Sequence, residues 1–286
     1  HCVHDITAGC RSNAEWTLKK EEPFVLTAGY RKYALGLFLL VYIINFVDRQ
    51  IFSILIEPIR ADIELSDTQL GLLGGIAFAI FYTFAGIPIA RWADVGVRKN
   101  IVALAMVIWS AMTMFTSTAK GFGGLLIARI GVGIGEAGCS PPIHSLISDY
   151  YPEEKRGTAL GTYALGIPIG GAIGTLLGGW IGEYFGWRVA FLVVGLPGIL
   201  VAAIFYLTIK EPPRGFSEPV GAPLSKSTVP LGQTLRFMWG LKSFRHLSFA
   251  GALHAFVGYG VGLFIPSFFI RVHGFGLAET STYLFL

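Results

Sequence analysis

Runs of apolar residues recur along the chain with short polar interruptions, and most are too long for a buried strand or helix of a water-soluble domain. A hydrocarbon core of about 30 Å asks for roughly 20 apolar residues at 1.5 Å each. Seven segments meet that demand, at approximately 33 to 56, 68 to 90, 100 to 118, 122 to 148, 158 to 184, 188 to 209 and 247 to 270, and an eighth begins near Ala278. Ser66 and Asp67 are placed to cap the second segment, and Gly186 parts the fifth from the sixth with almost no loop, so neighbouring segments are expected to form antiparallel hairpins. Residues 210 to 243, rich in Pro, Gly, Ser and Lys, read as a linker after six helices. The predicted fold is all-α and polytopic: a leader over 1–32, a six-helix bundle over 33–209, the linker over 210–243, and the start of a second bundle over 244–286.

Composition narrows the class. Of 286 residues, 53% are apolar and only 14% charged, where a soluble domain carries about a quarter of its residues as charges. That excludes a disordered chain and points to a multi-pass membrane protein. The 22 Lys and Arg form no basic stripe with interleaved aromatics, so nucleic acid is not an expected partner. Cys2, Cys10 and Cys139 make neither a disulfide framework nor a zinc spacing, and HCVHDITAGC at the start offers ligand types without a fold to hold them. No metal or cofactor is expected. With His at position 1 and an end inside an apolar run, the sequence reads as a fragment.

The basic residues mark topology. Sixteen of the 22 fall on one side, in the leader, in the loops after the second and fourth segments, and in the linker; Arg60, Lys120, Arg188 and Arg271 fall on the other. The leader and linker are therefore expected to be cytoplasmic, in a plasma or bacterial inner membrane. Arg49 and Arg129 lie inside the membrane.

Intramembrane charges are costly and usually functional. Asp48, Arg49, Arg129 and Glu136 are accordingly the first candidates for a site. Asp48 lies about 12 Å from the outer end of the first segment and Arg129 about 10 Å from the outer start of the fourth, so the two can pair. Glu136 follows Arg129 by two helical turns, which puts both on one face with Gly133 and Ser140. A carboxylate that is partly desolvated and close to an arginine feels opposing influences on its pKa, as a reversible proton site requires. The alternative, that these charges merely lock the first helix to the fourth, stays open. His144 lies near the same face beyond Pro141 and Pro142 and reads as a helix-end residue rather than a proton relay. Gly133, Gly135 and Gly138 match GxGxxG, but inside an apolar helix with no preceding strand, so no dinucleotide site is inferred.

Gly166, Gly170, Gly174, Gly178 and Gly182 recur at spacing four along the fifth segment, a stripe that lets another backbone approach closely. Pro168 adds a bend, so the stripe reads either as a hinge or as tight packing alone. In ARWADVGVRKN, Asp94 precedes Arg98 by four residues, a spacing at which the two can pair on a short helix. At the end of the fourth segment, SDYYPEEKRG places Asp149 where it can meet Arg98 or Arg156, with a solvated loop as the alternative. Asp94, Arg98, Lys99, Asp149 and Arg156 are the expected cytoplasmic gate.

Six helices, a basic linker and further helices, with charged motifs after the second and fourth, resemble the major facilitator superfamily over residues 33 to 286. NFVDRQ at 45 to 50, RIGVGIGEAG at 129 to 138, SDYYPEEKRG at 148 to 157 and GIPIGG at 166 to 171 resemble its spinster-like branch. The superfamily's loop motif has a glycine and an arginine where this chain has Ala90 and Val95, while Asp94, Arg98 and Lys99 match. The resemblance implies two six-helix bundles that rock around a central cavity, monomeric when full length, with Asp48, Arg49, Arg129 and Glu136 serving substrate and proton coupling. It also implies that the glycine stripe of the fifth helix faces the eighth. The implied activity is proton-coupled transport of an organic, amphipathic or lipid-like solute. An uncoupled facilitator and a non-transporting receptor or assembly subunit remain as alternatives. No phosphate-binding loop of the GxxxxGK[ST] kind and no paired nucleophile and base occur, so neither ATP-driven pumping nor an enzyme is expected.

Overall fold

A computed structural model describes residues 26–218 and 230–285. The opening HCVHDITAGC and linker residues 219–229 lie outside the described residues. Among those described the chain is helical without strands. The first crossing comprises α1 (Ala28–Ile54) and α2 (Ile56–Ile63). The second comprises α3 (Asp67–Gly71), a π-helical turn (Leu72–Ile76) and α4 (Ala77–Val95), and the third is α5 (Arg98–Thr116). The fourth comprises α6 (Phe122–Ala137) and α7 (Ser140–Tyr150), the fifth α8 (Glu153–Ala164) and α9 (Gly166–Phe185), and the sixth is α10 (Trp187–Thr208). Beyond the linker come α11 (Leu231–Gly240), α12 (Lys242–His273) and α13 (Leu277–Phe285). Seven of these stretches are long and apolar enough to cross a membrane. Large apolar side chains such as Phe84, Leu200 and Leu207 stay exposed on their outward faces, as expected where lipid replaces water.

Helices run past the apolar segments because the hydrogen-bonded backbone does not stop where hydropathy does. The first begins at Ala28, where the Thr27 hydroxyl accepts from the Tyr30 N–H. The fifth begins at Glu153 behind Pro152, with Glu153 and Glu154 in its first turn, a good arrangement at the positive end of the helix dipole. Ser66 caps α3 with a complete capping box to Gln69. Gly186 has φ 85°, so the turn between α9 and α10 uses a conformation that glycine adopts without strain. Within the expected linker, residues 231–240 are helical.

Two breaks share one cause. Leu55 interrupts the first crossing three residues before Pro58, and Leu165 interrupts the fifth three residues before Pro168. Proline has no N–H to donate to the carbonyl four residues back, and its ring clashes with it. The fourth crossing likewise breaks at Gly138 and Cys139, ahead of Pro141 and Pro142. His144 therefore lies within α7 rather than at a helix end.

In the bundle α1 packs on α8, α9 and α10, while α5 bridges α6 and α10. One apolar cluster, including Phe38, Met106, Tyr150 and Phe205, fills the end nearer the linker. A second, including Ile51, Phe52, Leu125 and Phe191, fills the opposite end. Between them lies a buried polar layer of Asn45, Asp48, Ser110, Thr113, Arg129 and Glu136.

The glycine stripe corrects an expectation. Gly166, Gly170, Gly174 and Gly178 face α1, where an added Cβ would meet Tyr42, Ile43 and Phe46, Val47 and Ile51 respectively. The eighth helix, α13, meets mainly the neighbouring row, where a Cβ on Gly179 would strike Ser281, and touches the stripe only at its last member, where one on Gly182 would meet Leu277 as well as Leu55. Residues at spacing four form one ridge-and-groove row of a helix, and a helix presents several such rows to different partners.

Candidate functional site: a buried charge cluster and its two ends

α1 and α6 deliver the central charges. Glycines make this possible: a Cβ on Gly135 would lie 2.7 Å from the Trp109 nitrogen, and one on Gly133 3.0 Å from the Phe78 oxygen, so α6 settles directly on the backbones of α5 and α4. Arg129, Gly133 and Glu136 share the buried face that the two-turn spacing predicts. Arg49 Nε donates to Glu136 Oε2 at 2.5 Å. The guanidinium of Arg49 lies 4.9–5.0 Å from the ring centres of Phe46, Phe78 and Tyr82, and its Nη1 is 3.4 Å from the Tyr259 hydroxyl of α12. Such an aromatic box holds a cation at low desolvation cost.

The Asp48–Arg129 ion pair that the depths allow does not form. Arg129 lies over the Phe52 ring at 4.2 Å, and among the described residues it has no carboxylate within ion-pair distance. Asp48 is 1% exposed and faces Thr113 and Trp109 of α5, with neither carboxylate oxygen in hydrogen-bonding geometry. Successive residues of a helix point about 100° apart, so Asp48 turns into the bundle while Arg49 turns toward the cavity and takes Glu136. That cavity, about 370 Å³, is lined by Phe46, Arg49, Phe78, Arg129, Ile167 and Tyr259 among others. Tyr259 was not legible in the sequence, because only packing brings α12 beside α1.

At the linker end the expected gate is partly assembled. Arg98 is fully buried. It pairs with Asp149, donates to Glu211 Oε1 at 2.7 Å and Ser145 Oγ at 2.9 Å, and donates to the Pro212 carbonyl at 3.0 Å. Glu211 also accepts from the Lys99 N–H, and Asp149 accepts from the Gly215 N–H at 2.9 Å. Arg214 donates to the carbonyls of Ala93 and Gly96. Arg156 pairs with Glu218 rather than Asp149. Asp94 is exposed and, among the described residues, has no ion pair. Gly96 and Val97 separate the end of α4 from the start of α5, so Asp94 and Arg98 never share a helix and the spacing-four argument fails. Glu211 and Arg214 escaped the sequence reading, although KEPPRG directly after the sixth segment carries both.

The opposite end is closed by α12 and α13. Arg271 donates to Asp67 at 2.8 Å and to Glu57 at 2.8 Å, Ser53 Oγ donates to the Gly262 carbonyl at 2.8 Å, and Glu183 accepts from the Ala278 N–H that opens α13. Among the described residues, every hydrogen bond from α12 to the first six crossings lies at Tyr259 or beyond. The contacts of α12 with the first six crossings are thus concentrated at the end away from the linker.

Comparison with known proteins agrees with this architecture. A bacterial homologue of the human lysosomal transporter Spinster, solved in an inward-facing and unoccupied conformation, is 41% identical, superposes with a TM-score of 0.81 and is matched over 90% of this chain and 59% of its own. An efflux pump of Mycolicibacterium smegmatis is 32% identical over 251 residues, 87% of this chain and 56% of that protein. A sphingosine-1-phosphate transporter of Danio rerio is 27% identical over 246 residues, 84% of this chain and 48% of that protein. The chain thus spans about half to three-fifths of the length of such relatives. Residues 38–286 match the Major Facilitator Superfamily, and the chain belongs to that superfamily, with spinster-like members among its relatives.

Proposed function

We propose that the chain forms the amino-terminal bundle, linker and first helices of the second bundle of a proton-coupled transporter for an amphipathic organic anion. In this reading the leader and linker are cytoplasmic, the membrane is a bacterial inner membrane, and the cleft between the bundles opens inward when α12 meets the first bundle only at its far end. The observation that carries it is the shared use of Arg49: Glu136 holds a guanidinium that also lines the cavity, while Arg129 lines the same cavity without a carboxylate partner. Asp48, Arg49, Arg129 and Glu136 together are neutral when all are charged. A proton on Glu136 releases Arg49 and leaves the cluster at +1, which favours an anion in the cavity; loss of the proton returns Arg49 to Glu136 and favours release. Coupling is the difference in anion affinity between the two protonation states. The apolar lining, Phe46, Phe78 and Ile167, suits an amphipathic tail, in keeping with the sphingosine-1-phosphate carried by one relative.

The linker-end ion cluster acts here as the cytoplasmic brace of the bundle, and Pro168 with the break at Leu165 as the place where the fifth crossing bends. The test is accumulation in proteoliposomes that hold the full-length protein, with sphingosine-1-phosphate and glucuronate as probes and an imposed pH gradient. Accumulation of the lipid anion that follows the gradient in the wild type and ceases to follow it in Glu136→Gln is expected. Unchanged pH-driven accumulation in Glu136→Gln removes Glu136 from coupling. Movement that ignores pH in both proteins identifies a facilitator, and no movement of either probe favours a receptor or assembly subunit.

A further inference from the structure

A second cavity of about 350 Å³ lies nearer the linker, between α1, α7 and α8, and is lined by Tyr42, His144, Ser148, Leu160, Tyr163 and Ala164. It lies next to the central cavity. Tyr42 and Phe46 touch edge-to-face at 5.0 Å, one in each cavity. Ala164 and Ile167, three residues apart across the α8–α9 break, likewise belong one to each. α1 is unbroken here, so Tyr42 lies two turns, about 10 Å, from Arg49 along the helix.

The chemistry of this second cavity is that of neutral hydrogen bonding between aromatic walls. Tyr163 is buried, stacked on Tyr42 at 4.2 Å and 13°, with its hydroxyl 4.0 Å from Cys139 Sγ. The His144 ring stands edge-on to Tyr163 at 5.4 Å and 82°. The imidazole is exposed, and among the described residues it has no hydrogen-bond partner. A ring with one donor and one acceptor nitrogen, open to a groove, is suited to a hydroxyl.

We infer that this cavity is a distal subsite, formed by His144 and Tyr42, for a hydrogen-bonding group carried about 10 Å from the anionic end of an elongated solute. The inference rests on the anion-binding reading of Arg49 and Arg129. It makes His144 and Tyr42 specificity-determining residues that select among amphipathic anions by length and by the polarity of the far end. An alkyl chain of about eight carbons spans the interval between the two sites.

The sign of a single hydroxyl tests it. In a purely apolar groove a terminal hydroxyl costs affinity, because its hydration is lost without replacement; at His144 and Tyr42 it gains about three- to tenfold, the worth of one neutral hydrogen bond. Binding of octanoate and 8-hydroxyoctanoate to the full-length protein in nanodiscs is measured by titration calorimetry, with butanoate and 4-hydroxybutanoate as short controls. The expected result is a tighter 8-hydroxyoctanoate, no such gain for the four-carbon pair, and loss of the gain in His144→Ala. Equal or weaker binding of 8-hydroxyoctanoate in the wild type overturns the subsite and leaves the anion reading intact. So does a gain that survives both His144→Ala and Tyr42→Phe. Octanoate that fails to bind, or binds equally well to Arg49→Gln, overturns the anion reading and the subsite with it.

Discussion

The contact between α1 and α9 supports a quantitative prediction. A Cβ added at Gly174 would sit 2.8 Å from the Val47 carbonyl oxygen, 2.9 Å from Val47 Cα and 3.1 Å from Gln50 Cβ. The first two are backbone atoms and cannot rotate aside, so Gly174→Ala must push the helices apart at the residue that precedes Asp48. At Gly171, three residues earlier on the same helix, an added Cβ meets nothing within 4 Å. Both substitutions gain the same helix propensity, about 0.5–1 kcal/mol, so this term cancels in their difference. What remains is the overpacking at Gly174, about 1–3 kcal/mol. For a chain of this size each kcal/mol moves the melting midpoint by about 2–4 °C. Thermal melts of the two variants in one detergent, followed by tryptophan fluorescence, are expected to place Gly174→Ala below Gly171→Ala by about 2–12 °C. A Gly174→Ala protein that melts at or above the Gly171→Ala protein would refute the close approach of the two backbones.

Charge substitutions separate the buried cluster from the exposed ones. Arg98→Ala leaves Asp149 and Glu211 without their buried cation and is expected to cost about 3–5 kcal/mol, seen as a much lower melting temperature or loss of monodisperse protein on size-exclusion chromatography. Asp94→Asn, in the same loop motif but exposed and without an ion pair, is expected to stay within about 0.5 kcal/mol of the parent in the same melt. Arg271 and Asp67 form an ion pair that is partly open to water, with side chains 31% and 55% exposed. Arg271→Ala removes this pair together with the one to the more buried Glu57, and it is expected to lower the melting midpoint less than Arg98→Ala does, with a difference from the parent that shrinks in 1 M salt.

Much of this architecture is written in one dimension. The seven crossings follow from apolar length, because a backbone in hydrocarbon must satisfy its own hydrogen bonds and the bilayer fixes how many residues that takes. The shared face of Arg129, Gly133 and Glu136 follows from helical period and the Ser66 cap from local hydrogen bonding. Each depends on residues within two turns of one another. Partner choice does not. Glu136 takes Arg49 rather than leaving it free, Arg98 takes Glu211 from more than a hundred residues away, and four of the five stripe glycines take α1 while only Gly182 also reaches α13. These outcomes depend on which rows of side chains face one another after packing, and a helix presents several rows with nearly the same sequence signature. The chain specifies its helices locally, while the pairing of its charges is settled only when the bundle closes and the low dielectric makes every unpaired ion costly.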